Sequence, residues 1–334
     1  MNRGPVQKRA ALALSAGVLL TLSACGSPAA TPAGECDVPS GNSSKAITVS
    51  GSVGTEPDVS FPTPLIASRT EVTTVDAGEG ATIGMKTPVL INFAVFNGAT
   101  GEAINPYSPV SVSQSTGEPQ IVTLQALSAL PGFQDAMQCA TEGSRVAVAL
   151  PAKEGFGAEG NAQLGLGEND TLVFVADVVE AYPARATGDP QAARSGFPSV
   201  VTDPDGVPGI TIPSSEAPTE YRETLLRKGS GGKVAEGDTV TLNYTGVLWD
   251  TGEVFDSSWE NGAPVQFPAQ EGTADQPGVV KGFADALIGA RVGDQVLAVL
   301  PPDVAYGDQA SGAIPADSTL VFVIDVLGVD KADG

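Results

Sequence analysis

Leu242-Asn243-Tyr244-Thr245-Gly246 begins the stretch that decides the fold. It continues through Gly252-Glu253-Val254-Phe255-Asp256-Ser257-Ser258, Val279-Val280-Lys281-Gly282-Phe283 and Pro301-Pro302-Asp303-Val304-Ala305-Tyr306-Gly307, and closes with Ile314-Pro315 and Thr319-Leu320-Val321-Phe322. These pieces set aromatics and one carboxylate into an otherwise apolar framework that reads mostly as strands. Residues 239–248 alternate, with Val240, Leu242 and Tyr244 on one face. Residues 294–300 read as a second strand, stopped by Pro301-Pro302, and 319–327 as a third, apolar and β-branched. Between them Phe283, Ala284, Leu287 and Ile288 recur at helical spacing, and Gly289 ends the only convincing helix of the stretch. One short helix against an antiparallel sheet is an α+β arrangement.

The same pattern occurs earlier in the chain. Leu130-Pro131-Gly132-Phe133-Gln134-Asp135-Ala136-Met137 aligns with Val280 to Leu287, and Gly143 to Pro151 aligns with Gly293 to Pro301. Asp170 to Val175 aligns with Ser318 to Val323, Asn92-Phe93 with Asn243-Tyr244, and Gly101 to Asn105 with Gly252 to Asp256. Order and spacing are kept, so two domains of one fold follow. We expect them at 46–184 and 196–334, joined by a charged, small-residue linker at 185–195. The second begins with a lead-in whose turn signals are Asp203-Pro204-Asp205-Gly206 and Ser214-Ser215-Glu216. Asp203 and Asp205 suggest either a calcium site or a Pro-Asp-Gly turn, and the turn explains them better. Gly229 to Gly232 lacks the Lys-Ser/Thr and helix of a phosphate loop and reads as a turn.

Residues 1–24 read as a targeting segment: Arg3, Lys8 and Arg9 precede a short apolar run from Ala10 to Leu22. Leu22-Ser23-Ala24-Cys25 resembles a bacterial lipobox, which implies lipidation of Cys25, by palmitate or a similar chain. The bland alternative is an ordinary signal peptide with a chance cysteine. Residues 25–45, rich in Gly, Ser, Pro, Ala and Thr, suit a flexible tether. The expected location is therefore the cell membrane, lipid-anchored on the extracytoplasmic face. In that oxidising setting the remaining pair, Cys36 and Cys139, suggests a disulfide, with two unpaired thiols as the alternative.

The formal net charge is −22 and no histidine is present. Phosphate contacts need clustered Lys and Arg, so the charge argues against nucleic acid as a partner. A Ser-His-Asp hydrolase and a His-based metal site are excluded by the missing histidine. Nothing in the pattern calls for a cofactor, a metal, or an assembly beyond the monomer.

Taken together, the motifs from about Glu220 to Val329 resemble an FKBP-type peptidyl-prolyl cis-trans isomerase, with five separated segments in family order; the repeat identifies the first copy as a degenerate relative. The resemblance implies two FKBP-like domains, each a twisted antiparallel sheet packed on one short helix. It also implies a proline pocket built from Tyr244, Phe255, Asp256, Val279, Val280, Phe283, Tyr306, Ile314 and Phe322. Phe283 would form its floor, with Tyr244, Phe255 and Phe322 as walls and Val279 and Val280 covering one side. The Val280 N–H and the Tyr306 hydroxyl would donate to substrate carbonyls, and Asp256 would orient the site. Phe283 stands where the family usually has tryptophan, so the pocket should be roomier. Val265 replaces a bulkier rim aromatic, and Pro268 to Pro277 is longer than the family minimum.

The chemistry suits such residues. An X-Pro amide is planar by resonance and isomerises over tens to hundreds of seconds. Its twisted transition state is less polar, so a dry aromatic pocket favours it, and aimed hydrogen bonds add selectivity. Aromatics near strand centres are more often plain core. Tyr244, Asp256 and Tyr306 escape that reading better, because a core has little use for them. The first copy has Phe93, Asn105 and Phe156 in their places, Ile104 for Phe255, and Ala129-Leu130 for Val279-Val280. The expected function is a membrane-anchored prolyl isomerase acting through its second domain on X-Pro segments of exported polypeptides, with a macrolide of the rapamycin type as a candidate ligand. The alternative is a non-catalytic chaperone or adhesion-type binding lipoprotein on the same scaffolds.

Overall fold

The first sheet begins where Glu71 to Asp76 alternates, and it is preceded by a one-turn helix and a hairpin. Those elements are α1 (Asn42–Lys45), β1 (Thr48–Ser50) and β2 (Asp58–Ser60). The six-stranded sheet takes β3 (Glu71–Asp76), β4 (Pro88–Asn97), β5 (Ala103–Pro109), β6 (Val122–Thr123), β7 (Arg145–Pro151) and β8 (Thr171–Ala181). Helix α2 (Pro131–Met137) covers one face. Then follow β9 (Asp189–Pro190) and a second hairpin, β10 (Ser199–Thr202) with β11 (Pro208–Thr211). The seven-stranded sheet comprises β9, β12 (Arg222–Lys228), β13 (Thr239–Leu248), β14 (Val254–Ser257), β15 (Val265–Pro268), β16 (Gln295–Leu300) and β17 (Leu320–Asp330). It carries helices α3 (Ser258–Asn261) and α4 (Lys281–Leu287). This computed structural model describes residues 38–114, 117–155, 157, 159–273 and 275–332. The targeting segment, Cys25, Cys36 and Phe156 lie outside the described residues. Cys139 is disulfide-bonded.

The two sheets have one topology. The first runs β3-β7-β8-β4-β5 with β6 on β4; the second runs β12-β16-β17-β13-β14 with β15 on β13 and β9 added outside β12. All named strand pairs are antiparallel. Alternation explains the layering. In the second sheet Val240, Leu242, Tyr244, Val296, Ala298, Leu320, Phe322 and Ile324 face α4 and are buried there. Val247, Leu297, Val299, Val321 and Val323 face the other way, onto the β10–β11 hairpin through Val200 and Ile210. Each fully buried Val, Leu or Phe contributes about 1.5–3 kcal/mol by leaving water, so both faces of the sheet stabilise the fold.

Helix α4 starts two residues before its apolar run, with Val280 as its extended N-cap, and Gly289 follows it with φ +96°. Gly282 lies against Leu300 and Val304 so closely that a Cβ would come within 2.6 Å of Leu300, which is why the helix can sit flat on the sheet. Helix α3 was not expected from the pattern. It forms because Ser258 turns inward, accepting the Tyr244 N–H at 2.9 Å and donating to Asn243 Oδ1 at 2.9 Å.

The lead-in turn behaves as its residues dictate. Asp203 Oδ1 accepts from Gly206 and Val207 N–H at 2.8 and 2.9 Å, and Asp205 pairs with Lys86 at 2.9 Å. Joining segment 185–195 is fastened to the second sheet: β9 pairs with β12, and the Ala186 N–H donates to Asp325 Oδ2 at 2.8 Å. Both sheets belong to one compact unit. Tyr182, at the end of β8, shares a buried cluster with Ile121 and Leu327, and its ring covers Gly328.

Candidate active site

The strand β13 brings Asn243, Tyr244 and Gly246 beside β14, where Gly246 pairs with Asp256. This pairing places the Tyr244 hydroxyl on the Asp256 carboxylate, to which it donates. Burial, and next the hydrogen bond to Asp256, push the Tyr244 phenol above its ordinary range. It therefore remains a protonated donor throughout the neutral range, and Asp256 is the acceptor.

Around this pair stands a box of rings. Phe283 from α4 and Phe322 from β17 meet edge to face at 4.9 Å between centroids. Phe255 meets Phe322 at 5.5 Å and Tyr244 meets Phe283 at 5.9 Å, both near perpendicular. Edge-to-face contacts of this kind set the positive ring edge on the negative face and add to simple burial. The rings enclose a cavity of about 540 Å³ lined by Tyr244, Phe255, Asp256, Phe267, Val279, Val280, Phe283, Tyr306 and Phe322. Glu271, Lys281 and Asp303 also line it.

Gly246 makes the box possible. A Cβ there would lie 2.4 Å from Phe255 Cζ and 2.9 Å from Phe322 Cε1. The interior of a strand uses glycine where another group must approach this closely.

Among the described residues, two donors on the cavity lining have no partners. Val280 precedes α4, and among the described residues its N–H makes no hydrogen bond. Tyr306 is 38 % exposed, and among the described residues its hydroxyl has none either. The site can thus receive an apolar ring and offer an N–H and an O–H to its flanking carbonyls.

Eight of the nine pocket residues read from the sequence meet in this cavity. Ile314 does not reach the lining. A bridge between Ser311 and Ile314 turns it inward, and it is buried in the core with Phe322 and Leu320. Sequence reading missed Phe267, which packs 5.8 Å from Phe283 and 5.9 Å from Tyr244. Its signal was present, since Phe267 lies two residues beyond Val265 on one strand and shares its face. Gly246, Glu271 and Asp303 were missed as well.

The first sheet keeps the frame and fills the space. Phe93, Phe133 and Phe174 pack within 4.9–6.3 Å of one another. Val95 holds the register position of Gly246, opposite Phe174, and is buried. Asn105 is turned along its own strand, donating to Pro106 O at 2.7 Å. Leu130, in the place of Val280, spends its N–H on Leu127 O at 3.0 Å.

Comparison with known proteins agrees with this geometry. The family model of the FKBP-type peptidyl-prolyl cis-trans isomerase matches residues 100–179 and 231–327, together more than half of the chain and part of each copy. A probable FK506-binding protein of Corynebacterium glutamicum is 35 % identical over 120 residues, covering 36 % of this chain and 96 % of the relative. FK506-binding protein 2 of Yarrowia lipolytica is 43 % identical over 100 residues, covering 30 % and 65 % respectively. An FK506-binding protein of Streptomyces anulatus is 34 % identical over 124 residues, covering 36 % and 96 %. With a family model spanning both copies and an aromatic box around Tyr244 and Asp256, the chain belongs to the FKBP-type peptidyl-prolyl cis-trans isomerases.

Proposed function

We propose that the second copy carries the prolyl isomerisation and that the first does not. The observation that supports this most is the contrast in donors: the Val280 N–H and Tyr306 hydroxyl are open to a substrate, whereas the Leu130 N–H is used. A prolyl ring enters between Phe255, Phe283 and Phe322, where the planar, resonance-polarised amide is poorly solvated. Twisting about the C–N bond removes the resonance and its charge separation, so the dry box favours the twisted form. The Val280 and Tyr306 donors hold the neighbouring carbonyls while the bond turns, and Asp256 holds the Tyr244 ring in the wall. No proton is transferred and no bond is broken.

The tethered location belongs to the same proposal. Cys25 and the small-residue segment after it support export and lipid anchoring, with exported polypeptides as clients. Among the described residues no helix is long and apolar enough to cross a membrane. Relatives named for FK506 binding, together with the open cavity, support a macrolide of the rapamycin type as a ligand.

Exchange NMR on an X-Pro peptide with the intact protein tests the assignment. Acceleration of exchange, with amide shifts at Val280 and Phe283 and none at Leu130 and Phe133, is the expected result. Shifts confined to the first sheet would overturn it.

A further inference from the structure

Among the described residues, the two carboxylates at the mouth of the cavity, Glu271 and Asp303, have neither ion pairs nor side-chain hydrogen bonds. Both are exposed. The one cation on the lining, Lys281, is drawn to Asp285 on the next turn of α4, at 2.5 Å. Asp256 is occupied by Tyr244. Lys281 also lies within electrostatic reach of Glu271, so the lining sets the carboxylates of Asp256, Glu271 and Asp303 against one cation and is negative on balance.

Neither charge sits on loose backbone. Glu271 lies at the neck of the 270–279 loop, where it bridges Val279 beside the Val280 donor. Gly272 N–H donates to Val279 O at 2.9 Å and Val279 N–H to Gln270 O at 3.0 Å. Gly278 closes the neck so tightly that a Cβ would sit 2.3 Å from Gly272 N. Asp303 lies in the turn after Pro301, which is pinned by bonds from Val304 to Pro301 O at 3.2 Å and from Gly307 to Pro302 O at 2.8 Å. That turn also carries Tyr306, the second donor. Both carboxylates thus line the same cavity as Val280 and Tyr306. In the first copy the place of Asp303 is taken by Lys153, which pairs with Glu154 at 3.5 Å.

Resting on the isomerase assignment above, we propose that Glu271 and Asp303 determine specificity, favouring X-Pro segments that carry Lys or Arg beside the proline. The ring box excludes a charge from the cavity itself, so the flanking cation stays at the rim in water. There each contact is worth a few-fold.

Intact protein is assayed by exchange NMR on matched peptides with Lys, Gln or Glu on either side of an X-Pro bond. At low salt the expected kcat/KM for the Lys peptides is about fivefold above the Glu peptides, and the gap narrows as salt shortens the Debye length. E271Q with D303N should bring the two peptide series together, and E271K with D303K should reverse their order. Turnover of the Gln peptide with equal rates for Lys and Glu overturns this inference and leaves the isomerase assignment standing. A Lys preference that survives E271Q with D303N removes it from these residues. No turnover of any peptide overturns both readings.

Discussion

Val95 and Gly246 occupy the same register position in the two sheets, opposite Phe174 and Phe322 respectively. That one difference in side chain decides whether a phenylalanine ring or a valine fills the space beside the strand. Phe255 uses the room left by Gly246, and Ile104 is the smaller residue beside Val95.

Gly246→Val should therefore push the Phe255 ring out of the wall. We expect kcat/KM to fall at least about tenfold and stability to drop by about 1–3 kcal/mol, as overpacking does. Adding Phe255→Ile reproduces the first-sheet combination and should recover stability while activity stays low. Urea unfolding beside turnover separates the two effects. Full activity in Gly246→Val would contradict this role.

Arg145 and Asp177 form a fully buried pair, with Nε to Oδ1 at 2.6 Å and Nη2 to Oδ2 at 2.7 Å. Arg145 also donates to Gly51 O and Thr55 O at 2.9 and 2.6 Å, tying the β1–β2 hairpin to the sheet. Arg145→Ala leaves a buried carboxylate without its cation, which costs about 3–5 kcal/mol. Gln295 and Asp325 stand in these positions in the second sheet, bonded at 2.8 Å, and burial there raises the Asp325 carboxyl. Thermal unfolding of Arg145→Ala should show the loss, with turnover per folded molecule unchanged.

Alkali should destabilise the protein. Burial, then hydrogen bonds to Asp177, Glu180, Glu223 and Asp256, raises the phenols of Tyr107, Tyr182, Tyr221 and Tyr244 above 10.0, to about 12 for Tyr107. The unfolded chain loses these protons first, so above pH ~10 it binds fewer than the folded chain, and stability falls as pH rises. The contribution is whole below pH ~10 and is lost through the folded values. Urea midpoints that stay level to pH ~10 and then decline are expected. A decline that starts near neutrality would point to other groups.

Much of this was legible in the residues. Strand β13 follows from alternation, β16 from its stop at Pro301-Pro302, β17 from its apolar, β-branched run, and α4 from apolar spacing closed by Gly289. The aromatic set around Tyr244 was visible because its members fall in one ordered pattern. What was hidden depends on partners far along the chain. Gly246 has meaning only once Phe255 and Phe322 are known to cross it. Ile314 points inward through a local bridge that no periodicity announces. The two-residue strand β9 is too short to carry a pattern, so the docking of 185–195 on β12 could not be read. The loss of the Leu130 donor comes from a 3₁₀ turn at Leu124–Leu127, whose composition is that of an ordinary helix.

The central claim is that one copy catalyses, and paired substitutions test it most directly. X-Pro exchange is measured with the intact chain, with Asp256→Ala, and with Asn105→Ala. Loss of about tenfold or more in Asp256→Ala, the scale of one charge-assisted hydrogen bond, with Asn105→Ala unchanged, is the predicted result. Equal activity in Asp256→Ala and the parent, or loss only in Asn105→Ala, would contradict it.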